Sequence, residues 1–490
     1  MLIASPLYCA LIIPFSLLIY LLAPGRPRML AVFAASWAFY LTFPRSFSLA
    51  LLYVSVTTYL GALVLARRAD DGNKLWFLAG AIALTGLPLL LAKYIGPLLH
   101  VFTSHMSANW DLTSDQLVFP VGLSFYTFGA IGYLIDVFLG VVAAEQSLVT
   151  VALFCCFFPI VTSGPIPRAS NLLPQLRFKR AFDARRATRA VTEILLGVGL
   201  KFGISEILAR PAGAVYSDVA ICGPLELFLA TVFFGYQLYA DFAGYSLVAI
   251  GSARLLGVDL PPNFRYPFLA ASVPDFWRGW HISLFSWLRD YFFTPLRLEL
   301  RAYPKLGTYF ATFVTLVFVG IWHGAGWGFV AFGAVHGVLM VLSQSTQEIR
   351  NRLWLGLGVP LRYLWLVRIP ITFIIITFTL VLLRSKDVSE AGGIYLKLLS
   401  FDLVKDLLGQ LPYSPFSPAG LDHLNLGGNL VVVAALVIVI IGDVIEKNSK
   451  RLVIEWPYLP RAALLSACTL ALFVQVLSAA GPKPFAYFQF

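Results

Sequence analysis

Apolar residues run in long unbroken blocks along this chain, separated by short stretches that hold most of the Lys and Arg. The blocks lie near 5–23, 29–43, 47–66, 75–95, 120–139, 148–164, 190–208, 224–250, 306–320, 325–343, 369–384, 428–445 and 462–479. Continuous rather than alternating runs predict helices, and several reach the ~20 residues that hydrocarbon requires. Inside hydrocarbon a backbone must satisfy its own hydrogen bonds, which leaves helices or closed barrels. The expected fold is therefore an all-α polytopic membrane protein, one domain over 1–490, with no internal repeat and no low-complexity linker.

The basic residues set an expected orientation. Arg26 and Arg28 follow the first block, which puts the N-terminus outside. From Arg168 to Arg189 there are seven Lys/Arg against one acid, Asp183, and from Arg254 to Lys305 seven against four. Arg350, Arg352, Arg362 and Arg368 mark another inside loop, as do Lys447, Lys450 and Arg451. Strict alternation fails once, between 120 and 190. One of the two blocks there is expected to dip in and return, which irregular backbone does only where protein or water covers it. The C-terminus then also lies outside. No basic residue precedes the first block, so it reads as a retained helix rather than a cleaved signal peptide.

Composition narrows the class. Of 490 residues, 59% are hydrophobic and 12% charged, with mean hydropathy +0.80, far from an ordinary soluble protein. The net charge of +11 follows from the inside loops and does not indicate nucleic acid. Five cysteines, Cys9, Cys155, Cys156, Cys222 and Cys468, have neither metal-ligand spacing nor a disulfide framework, and four lie within apolar blocks. No Walker A sequence, Gly-x-Ser-x-Gly elbow or His-Glu-x-x-His site occurs, so nothing points to ATP, a serine triad or a metal.

Candidate chemistry centres on two histidines. His281 lies in Trp277-Arg278-Gly279-Trp280-His281-Ile282-Ser283-Leu284, and His323 in Gly320-Ile321-Trp322-His323-Gly324-Ala325-Gly326-Trp327. A titratable group at membrane depth is costly and reads as functional. Imidazole can take a proton from a hydroxyl near neutral pH and return it to a leaving group. The bland alternative is an interhelical hydrogen bond. The glycines after His323 let a helix or ligand approach, and Trp322 and Trp327 are suited to wall a lumen. His336, thirteen residues on, is either a supporting residue or a packing one. Asp241 and Asp136, inside apolar blocks, need partners: each either orients a histidine or pairs with a cation. Arg289-Asp290 is a further candidate pair. The aromatic and basic stretch 251–305 suits short helices, at the interface or within the bundle. His100, His105 and His423 fall in expected outside loops and receive no role.

These same residues carry a resemblance. Pro120-Val121-Gly122-Leu123-Ser124-Phe125-Tyr126-Thr127-Phe128, Ser163-Gly164-Pro165-Ile166-Pro167-Arg168, Tyr239 to Ser246, Asn263-Phe264-Arg265-Tyr266-Pro267, Asp275-Phe276-Trp277-Arg278, His281 to Tyr291 and Trp322-His323-Gly324 occur in order. Together they resemble the membrane-bound O-acyltransferase (MBOAT) family, in its bacterial alginate O-acetyltransferase (AlgI-like) branch. The resemblance implies a ring of roughly 11–13 tilted transmembrane and re-entrant helices around a central tunnel. It implies His323 as the main catalytic histidine and His281 as the second, within a catalytic core over 120–345. Asp241, Trp322, Trp277, Arg289, Asp290 and His336 are the expected substrate-binding or supporting residues. Acetyl-coenzyme A or a similar acyl thioester is the expected donor substrate, arriving from the cytoplasm; no bound cofactor and no metal are expected. A basic inner face would attract such a polyanion.

The chain ends Pro484-Phe485-Ala486-Tyr487-Phe488-Gln489-Phe490. The tail over 480–490 resembles an aromatic terminal motif of some AlgI-type proteins and of the small companion in teichoic-acid D-alanylation. Two readings stand for Tyr487: a transient acyl acceptor activated by a histidine, or an interfacial aromatic anchor. The expected function is acetyl transfer across a bacterial inner membrane for O-acetylation of an exported polysaccharide. The expected partners are the lipid bilayer, a polysaccharide acceptor and a periplasmic SGNH-type protein. Rival readings are a non-catalytic transporter or channel, which the lack of inverted repeats disfavours, and peptidoglycan, cellulose or D-alanyl acylation within the enzyme class.

Overall fold

The computed structural model describes residues 5–68, 72–95, 120–324, 326–356, 363–400 and 430–449. The expected span at 462–479 and the tail with Tyr487 lie outside them, as do His100, His105 and His423. Among the described residues every regular element is helical. Five of the described helices are long and apolar enough to cross a membrane: Arg45–Arg67, Lys74–Ile95, Pro304–His323, Trp327–Ser345 and Trp365–Arg384. The chain is an all-α, multi-pass membrane protein. By contacts it divides into two units, Met1–Gly197 with Tyr245–Pro262, and Val198–Gly244 with Asn263–Phe490.

The first unit opens with α1 (Pro6–Leu21), α2 (Arg26–Tyr40), α3 (Arg45–Arg67) and α4 (Lys74–Leu90), the last running on into a π turn. Next come α5 (Leu123–Phe138), α6 (Leu148–Cys156), α7 (Ala169–Gln175) and α8 (Ala184–Val198). Helix α3 is the hub, packing on α4, α5 and α6. Arg28, expected only as a marker of orientation, is buried: Nε donates to Leu22 O at 2.9 Å, Nη1 to Arg180 O at 2.8 Å and Nη2 to Tyr20 O at 3.2 Å.

The apolar block at 148–164 is helical only to Cys156. Nine residues at 1.5 Å each make about 14 Å, under half of the hydrocarbon core. Pro159 has no N–H to continue the helix, and residues 158–163 form buried turns. Their backbone is satisfied locally: Ile160 and Val161 N–H donate to Phe157 O, each at 3.0 Å, and Phe158 N–H donates to Ser36 Oγ on α2 at 3.2 Å. Gly122 sits against this turn at φ +79°, where a Cβ would lie 1.8 Å from Val161 O. Only glycine serves there.

A polar knot joins the two basic segments. Asp259 accepts from Arg180 at 2.7 Å, Arg186 at 2.5 Å and Arg254 at 2.7 Å, and Arg254 also reaches Glu193 at 2.8 Å. Burial alone would raise the Asp259 carboxyl; the Arg180, Arg186 and Arg254 guanidinium groups outweigh that and hold it below its ordinary value.

The second unit contains a π-helical stretch (Gly199–Ser205), α9 (Glu206–Ser217) and the Val198–Gly244 share of the 32-residue helix α10 (Pro224–Leu255). It continues with α11 (Val273–Gly279), α12 (Ile282–Leu288), α13 (Thr294–Glu299), α14 (Pro304–His323) and α15 (Trp327–Ser345). Last are α16 (Gln347–Gly356), α17 (Trp365–Arg384), α18 (Val388–Leu398) and α19 (Leu430–Ser449). The stretch around 251–305 thus becomes short helices, as its composition suggests. Helices α14 and α15 form a tight hairpin. A Cβ on Gly320 would lie 2.2 Å from Phe329 O, and one on Gly333 2.5 Å from Leu316 O. Small residues permit this close crossing, and it fixes the helix turn that carries His323.

Candidate active site

Local sequence explains how His281 is presented. Helix α11 starts at a Ser272 cap, whose Oγ accepts from Asp275 N–H at 3.2 Å and donates to Asp275 Oδ2 at 2.7 Å. It stops at Gly279, where a Cβ would meet Arg265 O at 2.5 Å. Trp280 is extended, and His281 takes the left-handed conformation at φ +45°. That is uncommon for a residue with a side chain and marks a position held by its surroundings.

Asn263 does the holding. Its backbone carbonyl accepts from Ile282 N–H at 2.9 Å. Its Oδ1 accepts from Ser283 N–H at 3.2 Å and from Ser283 Oγ at 2.8 Å. The same oxygen lies 3.2 Å from His281 Nδ1. Because the backbone N–H can only donate, the atom facing it is the amide oxygen, and His281 Nδ1 must carry the proton. The lone pair of the neutral ring is then on Nε2. Burial first, and the nearby His323 second, push His281 well below its ordinary 6.5. Both favour the neutral, basic form.

Trp322 links the two histidines. Its ring centroid is 6.2 Å from that of His281 and 4.9 Å from that of His323. Phe242, next to Asp241, packs edge-on against His281 at 4.6 Å. His323 is the last residue of α14 and half-buried, with Phe332 at 6.3 Å and Phe329 at 6.4 Å. A small apolar cavity of about 20 Å³ lies beside it, lined among others by Trp277, Phe332, His336 and Leu380.

The other expected site residues divide. Trp277 and His336 meet at 4.9 Å in the wall of that cavity, and Trp322 is buried between the two catalytic candidates. Asp241 is fully buried but pairs with Lys201, on the π-helical stretch, which also lies 3.5 Å from Glu206. It thus anchors the helix turn carrying Phe242. Arg289 and Asp290 pair with each other at 2.7 Å in an exposed position. Trp327 does not line that cavity: it is 78% exposed at the start of α15, which suits an aromatic belt. Tyr487 lies outside the described residues.

Sequence reasoning gave no role to Asn263, Ser283 or Lys201. For Asn263 the available signal was an amide just after Pro261-Pro262, a turn position. For Lys201 it was a single cation in an apolar block. Among the described residues no group of three His, Cys, Asp or Glu is arranged to hold a metal ion.

Comparison with known proteins assigns this chain to a family. The model of the membrane-bound O-acyltransferase family matches residues 143–382, which include both histidines. The chain is 30% identical over 456 residues to the probable alginate O-acetylase AlgI of Pseudomonas aeruginosa, covering 90% of this chain and 81% of that protein. The chain belongs to the membrane-bound O-acyltransferase family. As a family member it is an O-acyltransferase, and an acyl donor is its substrate. Other members resemble it more distantly. The peptidoglycan O-acetyltransferase of Helicobacter pylori is 27% identical over 427 residues, covering 79% of this chain and 77% of that protein. The teichoic acid D-alanyltransferase of Bacillus subtilis is 27% identical over 336 residues, covering 66% and 81%.

Proposed function

We propose that this protein moves an acetyl group from a cytoplasmic thioester, acetyl-coenzyme A or a close equivalent, to hydroxyls of an exported, alginate-like polysaccharide. The observation that carries this reading is the imidazole pair about Trp322, with His281 held as its Nδ1–H tautomer by Asn263. The match to alginate O-acetylases over most of the chain supports the acceptor class.

In this mechanism His323 is the general base. It takes the proton of an acceptor hydroxyl as that oxygen bonds to the thioester carbonyl carbon. The imidazolium forms at the C-terminal end of α14, where the helix dipole favours positive charge. The tetrahedral intermediate collapses with cleavage of the C–S bond, and the proton passes to the departing thiolate. His281 assists, using Nε2 either to position the donor or to relay a proton. Trp322 keeps the two rings apart and dry.

Two routes lead outward: acyl passes to Tyr487 and then to a periplasmic SGNH-type transferase, or directly to a sugar hydroxyl. The protein would then reside in a bacterial inner membrane with both termini outside. The test is transfer of labelled acetyl from acetyl-coenzyme A by the purified protein. Label on the tail that persists in Tyr487→Phe rules out the relay; normal transfer by His323→Ala removes the reading.

A further inference from the structure

His336 has a defined tautomer. Its Nε2 lies 2.9 Å from Thr379 Oγ1, and that hydroxyl spends its one proton on Ile376 O at 2.7 Å. Thr379 can therefore only accept, so Nε2 carries the ring proton and Nδ1 carries the lone pair. Nδ1 is buried, with no hydrogen-bond partner among the described residues. Trp277 offers the complement: its Nε1–H is also buried without a partner among them. The residues are 1% and 4% exposed, and their rings meet at 4.9 Å and 73°.

Buried polar atoms are normally satisfied, and each exception calls for a cause. Here the two residues that carry an orphaned acceptor and an orphaned donor line the same cavity as His323. Its volume of about 20 Å³ exceeds the ~10–15 Å³ that one water-sized group needs. Phe276, Phe332 and Leu380 make the remaining wall apolar. A single hydroxyl would satisfy both orphans as it binds, its oxygen accepting from Trp277 Nε1–H and its proton resting on His336 Nδ1 until the O–H turns to His323 for transfer. The reacting thioester group has no proton to give, so the pair discriminates in favour of an alcohol.

We propose that Trp277 and His336 form the subsite that seats the acceptor hydroxyl beside His323. This rests on the O-acyl transfer reading above and adds which residues hold the alcohol. The hydroxyl can come from the chain's own Tyr487 or from a sugar; the recognised chemistry is the O–H group in both.

The two nitrogens of His336 permit a test that separates binding from architecture. His336→Asn keeps an acceptor near Nδ1 and loses the bond to Thr379. His336→Gln reaches Thr379 and loses Nδ1. Trp277→Phe removes the N–H together with the five-membered ring that carries it. Acetyl transfer is measured with labelled acetyl-coenzyme A, in one arm to a soluble uronic-acid oligosaccharide in a Tyr487→Phe background. In the other arm the initial rate of tail labelling is read with Tyr487 intact and no oligosaccharide.

The proposal expects His336→Gln and Trp277→Phe to raise KM for the oligosaccharide, or slow tail labelling, about tenfold, the scale of one lost hydrogen bond. KM for acetyl-coenzyme A stays within about twofold, and His336→Asn stays within about threefold of the parent, less than half of that loss on a logarithmic scale. The arm that responds identifies the source of the hydroxyl. Melting temperatures run in the opposite order, with Gln above Asn. If Gln keeps activity and Asn loses it, or if all three variants lose activity in proportion to stability, the subsite is refuted. A parent protein that transfers acetyl to no hydroxyl in either arm contradicts the underlying reading itself.

Discussion

Asn263 Oδ1 lies 3.2 Å from His281 Nδ1 while accepting two further hydrogen bonds from Ser283. One amide oxygen therefore sets both the tautomer of the ring and the left-handed turn beneath it. Replacing Asn263 with Leu removes the acceptor and strands the buried Ser283 donors. The expected loss in kcat is about 10- to 100-fold, or ~1.4–2.8 kcal/mol in the barrier. Asn263→Asp, which keeps an acceptor, should lose less. Steady-state transfer rates on detergent-purified variants check the order; equal losses would argue against a role in fixing the tautomer.

The Lys201–Asp241 pair is buried on both sides, with Lys201 3% exposed and Asp241 fully buried. Removing one partner leaves an uncompensated buried charge, which costs about 3–5 kcal/mol. Lys201→Met is expected to unfold more easily than the double variant Lys201→Met/Asp241→Leu, where the fully buried carboxylate is gone and only the part-exposed Glu206 is left without Lys201. Thermal unfolding of the two proteins in the same detergent measures this. The reverse order would mean that the pair stabilises by attraction alone.

The hairpin crossing gives a steric prediction. A side chain at Gly320 would meet the backbone oxygen of Phe329, which cannot rotate away. Gly320→Val should destabilise by about 1–3 kcal/mol, as overpacked interiors do, and should also disable transfer, since His323 lies one turn further along α14. Gly80, with nothing within 4 Å of its added Cβ, is the control: Gly80→Ala should behave as the parent. Melting temperature and acetyl transfer, measured together, check the contrast.

The polar knot on Asp259 predicts a pH effect. Its carboxyl titrates below the ordinary value of 3.8 in the folded protein, so the unfolded chain takes up the proton first. The stabilisation is complete above that ordinary value and is lost as pH falls through the folded one. Asp259→Asn should therefore flatten the acid side of the stability profile below about pH 4 and leave its slope near neutrality unchanged. A melt series across that range reads it directly. An unchanged acid slope would mean that Asp259 contributes nothing to it.

Much of this architecture was legible from hydropathy, because a helix in lipid needs only a long apolar run. The block at 148–164 shows where that logic stops: a buried, internally bonded turn is as apolar as a span, and only Pro159 betrays it. Averaging over a window also hid Lys201, whose partners are one π turn and one helix away. Trp327 read as a wall because it flanks His323 in sequence, yet the start of α15 turns it outward. His281 and His323 stood out because a titratable group in apolar surroundings is conspicuous by itself. Asn263 and Thr379 did not, since their roles come from contacts 18 and 43 residues away in sequence.

The central claim is that His323 takes the proton of the accepting hydroxyl. The most direct measurement is single-turnover acetyl transfer by His323→Ala beside His281→Ala, each verified as folded, with binding of acetyl-coenzyme A followed separately. His323→Ala should lower the transfer rate at least ~100-fold, within the range general-base catalysis supplies, while still binding the thioester. Transfer by His323→Ala at the parental rate would contradict the account.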